Sequence, residues 1–235
     1  MTPVREPASL TARERIAVAA RAIEPILNRV VLAGPPVMDL LMNDPSMSGP
    51  SLSFTADRTL RLLATSMVDR LGVDLQKLGL TRTVRAGTSD RWRVSDDVAF
   101  ELIQVHSDDR DHAQLSLEYA TLLTLPFSVS DQLTVRIAGA PAMLAIECVE
   151  FATSGAPALN SEELERAVLL IGCRREIEKE FTAAPAELRA IIVPVLAALA
   201  RNDSLELLIQ RALPDAAVLP ALADRVRDRI VRMAC

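Results

Sequence analysis

Two carboxylates, Asp57 and Glu101, stand where side-chain chemistry is conceivable. Ionised carboxylates are ligands for hard cations. Asp57 follows the alternating stretch Ser51 to Thr55, and aspartate is also a preferred residue at a helix start, so it reads either as a ligand or as a cap. Glu101 lies inside Val-Ala-Phe-Glu-Leu-Ile-Gln-Val-His, Val98 to His106, the strongest strand pattern in the chain. An unpartnered carboxylate is costly to bury. Glu101 must therefore face solvent, pair with an arginine or line a cleft, and alternation, which puts it on one face with Ala99 and Ile103, does not choose among these. Arg58, Arg61, Arg91 and Arg93 are placed either to contact phosphate or to serve as surface charges.

Other chemistries find little support. His106, His112, Asp108, Asp109 and Asp111 crowd one hydrophilic turn without ordered ligand spacing, which fits a solvated loop opening a helix. No Ser/His/Asp or Cys/His arrangement is credible, and no Gly-Lys-Ser/Thr run occurs. Cys148, Cys173 and Cys235 are odd in number and widely spaced, which suits neither a disulfide framework nor a zinc site.

The elements that must position Asp57 and Glu101 follow from apolar spacing. Ile16, Ala19, Ala20, Ile23 and Leu27 recur at helical spacing behind Thr11, a capping residue. Val30 to Ala33 is a short buried-strand pattern ended by Gly34, and Pro35 and Pro36 can open a helix that Val37, Leu40 and Leu41 continue. Asn43 to Ser51 is a loop by composition, and Leu52 and Phe54 alternate with polar neighbours as a second strand. Leu60, Leu63, Met67 and Leu71 then predict a helix ended by Gly72 or Gly79. Strands are expected over Thr81 to Val84, Arg91 to Val94, Val98 to His106 and Leu133 to Ile137, with a helix over Gln114 to Leu125. Beyond Gly139 the pattern is helical to the end, with breaks near Gly155, Pro185, Asn202 and Pro214 and a kink at Pro194.

A net charge of −5 and an aromatic content of 3 % speak against a general nucleic-acid binder, which needs a basic surface and stacking rings. Arg225, Arg229 and Arg232 form a one-sided basic stripe on the last helix, a solvated face or an RNA or partner contact. No apolar run approaches membrane-spanning length, and Met1 to Leu10 has no apolar signal core, so a cytoplasmic location with no membrane partner is expected.

Strand, Gly34 turn, short helix, loop, second strand with an acid at its end: in this order the segment resembles the polymerase-β-like nucleotidyltransferase superfamily, and within it the AbiEii-type toxins of toxin–antitoxin systems. Gly34 matches the first glycine of that family's turn, Thr55-Ala56-Asp57-Arg58-Thr59 overlays its Thr-x-Asp-x-Asp, and Glu101 falls where its third acid stands. The resemblance implies an α/β (α+β) fold, a mixed sheet flanked by helices over residues 1–154, followed by a helical C-terminal region over residues 155–235. It further implies magnesium held by Asp57 and Glu101 as the catalytic carboxylates. Gly34, Thr59 and Arg58 would face the nucleotide, and RNA or a protein would be the acceptor.

Three groups depart from the pattern. Thr59 replaces the second carboxylate, Pro35 lacks the N–H its turn would offer a phosphate, and Glu147 falls where the family has a lysine. The site is thus degenerate, and two functions are open: transfer of a nucleotide from a magnesium-bound triphosphate, or a non-catalytic binding or assembly role on the same scaffold. The Leu- and Ala-rich helices near Ala190 to Ala200 and Leu205 to Leu213 serve equally as monomer core or homodimer face.

Overall fold

The computed structural model describes residues 10–44, 59–64, 68–83, 90–105, 111–213 and 220–235. Helix α1, Ala12–Ala22, starts at a capping box: the Thr11 hydroxyl accepts from the Glu14 N–H, and the Glu14 carboxylate accepts from the Thr11 N–H at 2.8 Å. Its apolar stripe, Ile16, Ala19 and Ala20, is fully buried. A 3-10 helix, Glu24–Arg29, leads into β1, Val30–Ala33, buried along its whole length. Helix α2, Pro35–Leu41, then departs directly from Gly34.

Leu60–Ala64 is a strand, β2, and Val68–Lys77 is a helix, α3. The single helix expected from Leu60 onward is therefore wrong. Leu60, Leu62, Leu63 and Ala64 are buried on both faces of the sheet, and a strand covered on both sides reads as an unbroken apolar run that periodicity does not separate from a helix. Gly79, at φ +81°, ends α3 with two bonds, Leu80 N–H to Leu75 O and Gly79 N–H to Gln76 O, the pattern of a Schellman cap. The strand expected around Leu52 and Phe54 lies outside the described residues.

Strands β3, Thr81–Thr83, β4, Arg91–Arg93, and β5, Ala99–Gln104, follow where expected. Helix α4, His112–Leu122, is capped by Asp111, which accepts from Gln114 N–H at 2.7 Å, so this acid of the hydrophilic turn does open a helix. The helix stops earlier than its pattern suggested, because Thr124–Ser130 is an edge strand, β6, that holds Pro126. It forms a hairpin with β7, Leu133–Ala138.

Among the described residues seven strands form one mixed sheet in the order β3-β4-β5-β2-β1-β7-β6. At its centre β1 runs antiparallel to β2 and parallel to β7, while β2 runs parallel to β5. The architecture is α/β, with helices against the sheet and a helical C-terminal region. Helix α5, Ala140–Ser154, closes on Gly155 in the left-handed conformation. Among the described residues a 3-10 turn, Ala158–Asn160, and then five α-helices follow: α6, Glu162–Cys173; α7, Ile177–Ala183; α8, Ala186–Ala200, which contains Pro194; α9, Leu205–Ala212; and α10, Pro220–Met233. A continuous apolar core runs from the sheet through α5 into these helices. Among the described residues no helix is long and apolar enough to cross a membrane.

The basic stripe on α10 is held against the protein. Arg229 is largely buried and donates to the carbonyls of Ile171 and Gly172 at 2.9 and 3.0 Å, satisfying the end of α6. Arg232 pairs with Glu178 at 2.6 Å, and Arg225 faces Asp44 at 3.9 Å. At Gly172 a Cβ would lie 2.8 Å from Leu213 Cδ1 and 3.3 Å from Val226 Cγ2, so any larger residue would make those side chains shift.

Candidate functional site

The sheet brings several of the singled-out residues to the end where β1 stops and β2 begins. Gly34 leaves β1 at φ 91° and ψ −178°, a backbone conformation open essentially to glycine alone. A Cβ there would stand 3.0 Å from the Thr59 carbonyl and 3.4 Å from Arg61. Thr59 is buried immediately before β2. Ala33 is registered with Arg61, Arg61 with Glu101, Glu101 with Arg91, and Arg91 with Thr83. Registered partners share a face. Glu101 thus lies in a transverse row, flanked by one arginine on each side. Asp57 and Arg58 lie outside the described residues.

Arg61 organises this end of the sheet. Its guanidinium meets the Glu150 carboxylate of α5 at 2.5 Å, and only 18 % of its side chain is exposed. Burial works against its charge, but Glu150, with Glu147 and Glu101 adding to it, more than offsets that, so Arg61 holds its proton more firmly than a free arginine. Far from being a surface charge, it is a tethered cation among three carboxylates.

One turn before Glu150 on the same helix, Glu147 is 1 % exposed and accepts from Arg166 Nε of α6 at 2.9 Å. Burial pushes the Glu147 carboxyl up to about 7, and the neighbouring Glu150 adds to this; Arg166 and Arg61 pull the other way without cancelling it. Arg166 also approaches Glu162 at 3.5 Å and Glu163 at 3.8 Å. The result is a chain of alternating charges that links β2 to α5 and α5 to α6.

Sequence reasoning reached Gly34, Thr59, Glu101, Arg61 and Glu147 but missed Glu150 and Arg166. The available signal was the apolar run Ala140 to Val149, in which Glu147, followed by Glu150 three residues later, is an acid that needs a buried partner. Cys148 and Cys173 are poor nucleophiles: burial raises the Cys148 thiol far above its ordinary range and pushes Cys173 up to about 12.

Of the two carboxylates the resemblance assigns to magnesium, Glu101 is described and Asp57 lies outside the described residues. A dication of this kind wants several carboxylate or water oxygens around it. Glu101 has an arginine at each side, and Glu150 is already taken by Arg61. Among the described residues no group of three or more His, Cys, Asp or Glu side chains is arranged to hold a metal ion.

No protein-family model matches the chain, and neither does any curated protein or solved structure. The site is therefore read from its own residues.

Proposed function

We propose that the chain is a nucleotidyltransferase-like protein that has abandoned nucleotide transfer and keeps the fold as a scaffold for binding or assembly. The order of elements supports the first half of this reading. A glycine turn at the end of β1 abuts the start of an antiparallel β2, and β2 lies parallel to the strand that carries Glu101.

One observation supports the second half: the Arg61 guanidinium, covalently part of the chain, pairs with Glu150 and stands level with Glu101, beside an acid that the resemblance assigns to magnesium. To bind there, magnesium would have to displace a charge that is always present and already desolvated. Thr59 adds no negative charge, and Pro35 offers no N–H to a phosphate.

The test is a thermal-shift series with magnesium and each of the four ribonucleoside triphosphates, followed by incubation with labelled triphosphate and RNA. A ligand that binds only the native state at 100 times its Kd adds about 2.7 kcal/mol, which such a series detects readily. We expect no stabilisation and no transferred label. Stabilisation or transfer that disappears in Asp57→Asn or Glu101→Gln would replace this reading with magnesium-dependent transfer to RNA or protein.

A further inference from the structure

The opposite face of the sheet holds a cavity of about 320 Å³ between α3 and the β3–β4–β5 edge. Arg82, Trp92 and Leu102 line it, and their register puts them on the face away from Arg61 and Glu101. The volume is near the lower end for small-molecule sites, about 300–1,000 Å³.

Two features set the cavity apart. Gly72 sits inside α3, where glycine costs about 1 kcal/mol against alanine. Its backbone is not in the left-handed region, and a Cβ would find only an ordinary 3.6 Å contact with Trp92 Cζ2, so neither conformation nor packing demands glycine. Its missing methyl leaves the cavity wall open. Trp92, 1 % exposed, also keeps its indole N–H buried without an acceptor, and an unmade bond of this kind costs about 1–3 kcal/mol. Cζ2, on the N–H side of that ring, is the atom nearest Gly72.

The polar groups narrow the ligand. Arg82 and Asp90 pair with each other, so the wall offers a donor and an acceptor side by side with no net charge. Gln76 supplies a second donor and acceptor from α3, and the Trp92 ring and Leu102 give an apolar wall. The complement is a flat, uncharged ring whose edge carries adjacent N–H and C=O groups. We propose that this cavity binds a small planar heterocycle with a lactam or carboxamide edge.

Trp92 is the only tryptophan, so a single indole N–H resonance reports the site. Uracil and nicotinamide, which carry the required edge without phosphate or metal, should each shift that resonance saturably in the 15N-labelled full chain. Gln76→Leu should weaken binding at least about tenfold. Gly72→Ala, which should melt at or above the wild-type temperature, should weaken it without disturbing the fold. No shift with either probe, or shifts unchanged in both variants, would overturn the proposal. Because the probes need neither magnesium nor the Arg61 face, the result stands apart from that of the triphosphate test.

Discussion

Glu147→Gln separates the buried acid from the pairs around it. In the folded protein this carboxyl titrates near 7, against an ordinary value of 4.5, because burial and Glu150 outweigh Arg166 and Arg61. Between those values the folded chain holds a proton that the unfolded chain has released, so stability falls as pH rises through this window and levels off above about 7. At 1.36 kcal/mol per pH unit, the gap between 4.5 and about 7 corresponds to about 3 kcal/mol. Glutamine keeps an acceptor for Arg166 and cannot ionise. Urea unfolding of both proteins from about pH 4 to about pH 8 should therefore show the wild type losing about 3 kcal/mol relative to the variant, most of it before neutrality. Titrating groups remote from Glu147 are common to the two chains and cancel in the difference, while Glu150 and the two arginines, which feel its charge, cancel only in part. Two curves that stay parallel across that range would refute the claim that Glu147 is buried as an acid.

Arg61→Met leaves the Glu150 carboxylate without its buried partner and should cost about 3 kcal/mol by chemical denaturation at neutral pH. Gly34→Ala forces a side chain into a glycine-only conformation against the Thr59 carbonyl and should cost about 2–3 kcal/mol, read from the urea midpoint. Arg229→Met leaves the end of α6 without its donor and should lower stability by about 2 kcal/mol, with faster amide exchange near Gly172.

Local rules made much of the fold legible. Thr11 announced α1, the β-branched run before Gly34 announced β1, and Val98 to His106 announced β5, because cap chemistry and chain alternation act within a few residues. Leu60 to Ala64 misled because its partners β1 and β5 are remote in sequence, and burial on both faces erased the alternation. The candidate site was legible as a list of residue types, Gly34 and Glu101 among them, but not as a charge arrangement. That Arg61 stands level with Glu101 depends on register, and that Glu150 reaches Arg61 depends on how α5 lies against the sheet. Neither is a property of spacing along the chain. The α10 stripe makes the same point, since its arginines at helical spacing grip carbonyls and acids of helices that no periodicity locates.

The pairing of Leu32 with Ile137 has a consequence for biosynthesis. On a ribosome, β1 emerges well before β7; β2 can pair with one of its edges and β5 with β2, but its other edge waits for β7. During that interval an apolar strand presents unpaired amides and carbonyls to the crowded surroundings of the exit tunnel. Slow synthesis between β5 and β7 would lengthen that exposure, whereas slowing in the later helices would not.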